Sequence, residues 1–246
     1  MRTRHDGKNT YAIFDIAYRR VLVKSRYNAP MEREPLIVTE EDVADNMKRI
    51  GAVPENVVEM FKNREIQGAV CLAACNDILL RDPDNCTALL YKGIISVEQK
   101  EYVVAHDCLV KVTETVPLIH PAWFYRGLSE LFLKETEAAL DSFMRFTELS
   151  NHRAYPFCFI ALSYHMQGET ETALYVLDEV AKQEKFDGKE KGMILWTRGL
   201  LEEDTGDDSA ALIHYIESRM MSPELNKEET AAKIYELSLK ENEDYD

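Results

Sequence analysis

Residues that interrupt regular structure are scarce in this chain. Its 246 residues include only 10 glycines and 8 prolines, too few for long disordered stretches. Cysteine is scarce and odd in number, five in all. Its spacing suggests no disulfide framework, which fits a reducing compartment. Cations are outnumbered, 29 Lys and Arg against 44 Asp and Glu, for a net charge of −15. That balance disfavours nucleic acid as a ligand, because neutralising phosphates needs clustered Lys and Arg. No apolar run approaches the length of a membrane-spanning helix. The short apolar core of a secretory signal is also missing near the N-terminus. Together these absences point to the cytoplasm.

What the chain does contain is one pattern written four times between Asp82 and Pro223. Each copy has a small residue, an alanine about a dozen positions later, and a bulky residue one turn beyond. The copies align as Gly93, Ala105 and Leu109; Gly127, Ala139 and Phe143; Ala161, Ala173 and Leu177; Gly199, Ala211 and Tyr215. The first three begin at Cys86, His120 and Ala154, 34 residues apart; the fourth begins near Gly192, after four extra residues, Gly188 to Lys191. A period of this length marks a stacked helical array. Steps of three and four, as in Trp123, Gly127 and Glu130 and again in Ala139, Phe143 and Phe146, put each set on one helix face. Glu130 is the polar exception in that series. The small residues let two antiparallel helices approach closely. Gln167-Gly168-Glu169 and Thr205-Gly206-Asp207 read as a helix stop and a new start. Pro83, Pro117 and Pro223 stand where each second helix must end.

Carried by Trp123, Gly127, Ala139 and Phe143, and by Ile160, Ala161, Tyr164, Ala173 and Leu177, this pattern resembles the tetratricopeptide repeat family. The resemblance implies an all-α fold, a right-handed superhelical solenoid of antiparallel helix pairs. It departs from the family at Lys92, Arg126 and Arg198, where an aliphatic residue is usual. Four regions follow: a basic arm and linker over 1–38, helices and a degenerate first repeat over 39–85, four repeats over 86–223, and a solvating helix with an acidic tail over 224–246. Thr39-Glu40-Glu41-Asp42 opens the first helix, Gly51 stops it and Pro54 starts the next.

The arm stands apart in charge. Residues 1 to 27 hold seven Lys or Arg against Asp6 and Asp15, so the rest of the chain is more acidic still. Residues 1 to 10 read as disordered. From Tyr11 to Tyr27 a helix puts Tyr11, Phe14, Tyr18, Val21 and Leu22 on one face, with Asp15 pairing Arg19 beside Arg20 on another. An extended reading is open too, because Val21 to Val23 is strand-like.

Signals for chemistry are weak. Cys71 and Cys75 lie one turn apart but lack the third and fourth ligands a metal site needs, so small core residues are the expectation. The histidines show no zinc-protease spacing, and no glycine-rich phosphate loop is present. No enzyme activity, cofactor or metal is expected. Asn85-Cys86-Thr87 is a glycosylation sequon in form only, since it starts a repeat helix.

The resemblance implies a concave wall built from the first helix of each pair. Its apolar members are Leu90 and Ile94, then Phe124, Leu128 and Leu131, then Tyr155 and Leu162, and last Trp196 and Leu200. Thr87, His165 and Glu203 are its clearly polar members. The positions at which some family members clamp acidic chaperone tails hold no basic residue here, which disfavours that ligand. The expected function is therefore a non-catalytic scaffold or adaptor, a subunit of a larger assembly. An apolar helical or extended protein segment would fill the groove. That segment is either the chain's own arm or part of another protein. The alternative is a mitochondrial assembly factor or dedicated chaperone adaptor, targeted by the basic arm.

Overall fold

The computed structural model describes residues 2–6, 9–13, 37–38, 40–150, 154–183 and 186–243. Twelve helices run through them. First come α1 (Glu40–Arg49), α2 (Glu55–Lys62) and α3 (Arg64–Leu79). Four pairs follow: α4 (Cys86–Glu98) with α5 (Tyr102–Thr115), and α6 (His120–Phe132) with α7 (Thr136–Leu149). Next are α8 (Tyr155–Met166) with α9 (Thr170–Ala181), and α10 (Gly188–Asp204) with α11 (Asp208–Met221). The twelfth helix is α12 (Lys227–Glu243). The helices divide into two compact units, one reaching Ser150 and one beginning at Ala154.

Inside each pair the small residues act as the pattern requires. A Cβ added to Gly127 would lie 2.8–3.0 Å from three carbons of the Phe143 ring, and one added to Gly199 would meet Tyr215 in the same way. Gly93 faces Leu109 at 2.6 Å by the same construction. The opposing Ala105, Ala139, Ala173 and Ala211 are fully buried. Backbones thus approach until glycine meets ring or branch. In the first unit the cores form around Cys71, Cys75 and Ile95, and around Leu109 and Val112.

The four turns between paired helices share one geometry. Lys100, Lys134, Gly168 and Gly206 all take positive φ, from 63° to 83°. In each turn the following residue donates its backbone N–H to a carbonyl five residues earlier: Glu101 to Ser96, Glu135 to Glu130, Glu169 to Tyr164 and Asp207 to Glu202, at 2.8–2.9 Å. These bonds satisfy carbonyls that a helix end would otherwise leave open. Two turns accomplish this with lysine, which is strained in the left-handed region.

The four extra residues Gly188 to Lys191 lengthen α10 at its start by about one turn. Asp187 caps the longer helix, its side chain accepting from Glu190 N at 2.8 Å. Asn85 caps α4, accepting from Ala88 N at 3.0 Å and donating to Ala52 O at 3.1 Å. Both ends of that amide are engaged, so Asn85 acts as a structural cap.

The N-terminal region corrects the reading of residues 1 to 10 as disordered. Strand β1 (Arg2–Asp6) pairs antiparallel with β2 (Asn9–Ile13), and β2 with β3 (Ile37–Val38). Only two residues separate the paired Asp6 and Asn9, the commonest connection length for an antiparallel hairpin, so backbone pairing outweighs composition there. Tyr11 falls in β2 rather than in a helix. The other arm residues singled out, Phe14, Tyr18, Arg19, Arg20, Val21 and Leu22, lie outside the described residues.

Candidate partner-binding surface

The first helices of successive pairs touch one another, α4 with α6 in the first unit and α8 with α10 in the second. Each unit therefore carries a wall made of first helices. In the first unit Ile94 and Leu131 are buried at 4% and 7% exposure, and Leu90, Phe124 and Leu128 are half-buried. Leu90 leans on the core around Leu109 and Val112. Phe124 meets Tyr125, Phe143 and Phe146 with ring centroids 5.4–5.9 Å apart. At the near end of this unit Tyr91 stacks on Phe61 at 3.9 Å, and the Arg64 guanidinium covers Phe61.

In the second unit Tyr155, Leu162, Trp196 and Leu200 are all half-buried. Trp196 and Leu200 pack, with Ile234 of α12, against the cluster of Ala211, Leu212, Tyr215 and Leu237. Glu203, the polar wall position of the same helix, accepts from Tyr215 Oη at 2.7 Å and from Lys233 Nζ of α12 at 2.6 Å. The final helix thus takes part of the α10 surface. Burial, then the Glu203 carboxylate beside it, raises the Tyr215 hydroxyl above the ordinary range.

A second set of residues has the opposite character. Glu130 is fully buried. It accepts from Arg126 Nε one turn back at 2.7 Å and from Ser142 Oγ of α7 at 2.6 Å, and His106 Nε2 of α5 lies 3.5 Å away. Arg126 also donates to Thr113 Oγ1 of α5 at 3.0 Å. At the equivalent positions of the last pair, Arg198 Nε donates to Glu202 at 2.9 Å and pairs with Asp178 of α9. His214 Nδ1 lies 2.5 Å from Glu202 Oε2. So Arg126 and Arg198, departures from the family's aliphatic residue, each hold a buried glutamate one turn on. The spacing Arg-x-x-x-Glu occurs twice in the sequence; neither the pairing nor its burial was legible there.

His165 Nδ1 lies 2.9 Å from Thr170 Oγ1, and its Nε2 lies 2.8 Å from Asp204 Oδ2. Hydroxyl, imidazole and carboxylate stand in the order of an acyl-transfer triad. The Asp204 side chain, however, is 73% exposed, where a triad carboxylate is buried. The three residues clip α8, α9 and α10 together.

All five cysteines are free and buried. Among the described residues no group of three or more His, Cys, Asp or Glu is placed to hold a metal. Burial pushes the Cys75 thiol up to about 12, with Cys71 adding to the rise, and burial pushes Cys158 up to about 11. At pH 8 the Cys75 thiolate is then roughly one part in ten thousand. In the native protein both thiols are expected to stay unreacted with an aromatic disulfide reagent at that pH, and to react fully in denaturant. Prompt reaction of either one in the folded chain would contradict this packing.

No helix among the described residues is long and apolar enough to cross a membrane. No protein-family model matches the chain, and no curated protein matches it in sequence. Solved structures do match. A thermophilic TPR protein in Thermus thermophilus is similar with a TM-score of 0.58 at 14% identity, over 79% of this chain and 99% of that one. A tetratricopeptide repeat protein from Parabacteroides merdae gives 0.56 at 14% identity, over 80% and 75%. The crystal structure of MamA gives 0.53 at 22% identity, over 70% and 95%. Small residues between paired helices, four like turns and these neighbours lead to one conclusion: the chain has the tetratricopeptide-repeat fold.

Proposed function

We propose that this chain is a non-catalytic protein-binding scaffold, working as a subunit of a larger assembly. Its first helices present apolar side chains to an amphipathic helix or extended segment of another protein. The observation that carries this reading is the recurrence of half-buried leucines on the first helices of each unit, Leu90 on α4 and Leu128 on α6 in the first and Leu162 on α8 in the second. Each keeps part of its surface open, and helix-in-groove recognition uses anchors of this kind. On α10 the final helix already takes part of the equivalent surface. The net charge of −15 would steer a basic partner toward the array.

Affinity capture from native extract tests this, with the wild-type chain and a Leu128→Asn/Leu162→Asn variant used side by side. At least one protein retained by the wild type is expected to fall about tenfold or more on the variant, with helicity unchanged by circular dichroism. The same proteins retained in the same amounts by both chains would defeat the reading.

A further inference from the structure

The last pair carries an apolar surface that the array itself does not use. On α11, Ala211, Leu212, Tyr215 and Ser218 are buried, and this side packs with α10 and α12. Ile213, Ile216 and Met220 fall at steps of three and four on the other side. They are 55%, 42% and 76% exposed. Single exposed apolar side chains are ordinary; three in a stripe on a well-packed helix mark a contact surface.

Comparison along the array separates this stripe from a general property of the repeat. Counted from Ala105, Ala139, Ala173 and Ala211, the position of Ile213 is held earlier by Asp107, Asp141 and Tyr175. That of Met220 is held by Glu114, Glu148 and Lys182. Neither position has an aliphatic or thioether side chain in an earlier pair. The middle position is mixed, with Val110, Met144 and Asp178 before Ile216.

Charge selects the occupant. Glu217, exposed, stands inside the stripe one turn after Ile213; the exposed Arg219 lies on the same helix, and Glu224 just past its end pairs with Lys227 at 3.8 Å. From residue 154 on, Asp and Glu outnumber Lys and Arg more than twofold. A second copy would bring acid against acid. A helix with an apolar face bordered by Lys and Arg meets both demands.

We propose that the exposed face of α11 docks a basic amphipathic helix of a separate protein. The apolar side of that helix rests on Ile213, Ile216 and Met220, and its cations lie against Glu217 and the surrounding carboxylates. This surface is independent of the wall of first helices, so one chain joins two partners or grips one at two places.

The test uses the full chain and a fluorescent 18-residue peptide built only of leucine and lysine, with leucines at helical spacing. Anisotropy should show saturable binding. In Ile213→Asn/Met220→Gln the affinity should fall about tenfold or more, with an unchanged melting temperature because both side chains are exposed. Glu217→Lys should weaken binding about threefold or more at low ionic strength. Because the peptide also suits the wall of first helices, the α11 substitutions should cost the same fold-change in binding on a Leu128→Asn/Leu162→Asn background as on the wild type. Equal binding by the α11 variants, or equal binding of a peptide with glutamate in place of lysine, overturns the proposal. Two further results overturn it by naming another occupant. One is tighter peptide binding after deletion of residues 1–36, which assigns the face to the chain's own arm. The other is a wild-type dimer in sedimentation that the α11 variant abolishes, which assigns it to a second copy.

Discussion

Gly127→Val should destabilise the protein by about 3 kcal/mol, the upper end of what overpacking a close-packed interior costs. Even the first added carbon would lie 2.8–3.0 Å from the Phe143 ring. That ring cannot retreat, because Phe143 is fully buried and holds Phe124 beside it. Valine is a slightly better helix former than glycine, a gain of a few tenths of a kcal/mol that does not reverse the sign. Phe143→Ala alone should cost about 4 kcal/mol through the cavity it leaves. In the double variant the valine methyls enter that cavity, so its cost should sit well below the sum of the two. Denaturant midpoints of the four proteins decide the matter, and simple additivity would show that α6 and α7 do not meet at this pair.

Glu130→Leu should cost a comparable amount, about 3 kcal/mol. Removing one partner of a buried ion pair leaves the other charge and its hydrogen-bonding neighbours unmatched. Arg126 keeps 23% of its side chain exposed and reaches water in part, which holds the loss at the low end of the range for such pairs. Arg126→Leu/Glu130→Leu should recover most of the stability, since apolar side chains of similar volume replace a desolvated pair at little net cost. Ser142 and Thr113 keep the recovery incomplete, because their hydroxyls lose partners. If the double variant is as unstable as the single one, the pair is not the unit described.

The sequence announced the array through residues whose size or stiffness has one use. Gly93, Gly127 and Gly199 repeat opposite a bulky residue, and Pro83, Pro117 and Pro223 stop helices wherever they fall. Gly168 and Gly206 marked their turns for the same reason. Lys100 and Lys134 hold the same backbone conformation without any sign of it, because lysine is common in every kind of structure. Arg126 and Glu130 were legible only as two separate oddities, a departure from the family's aliphatic residue and a polar exception on an apolar face, with nothing to link them. Their burial comes from α5 and α7, which supply Thr113 and Ser142 from distant positions in the chain. The wall was legible as a list of apolar residues, but the share of each already used was not. Ile94 and Leu131 turn into the core, and α12 claims part of Trp196 and Leu200. Helical periodicity gives a face, not what lies against it.

The buried arginine–glutamate pairs give the repeats an order. Arg126 needs Thr113 from the pair before it, and Arg198 needs Asp178 from the pair before it. The other two pairs carry Ile160 and Tyr164, or Lys92 and Ser96, at the corresponding sites. A chain of interchangeable modules could lose or duplicate any link and close up again. Here, excising α8 and α9 would strip Arg198 of Asp178 and put residues chosen for Arg126's own surroundings in its place. The copies have become individual parts, each cut to fit one predecessor.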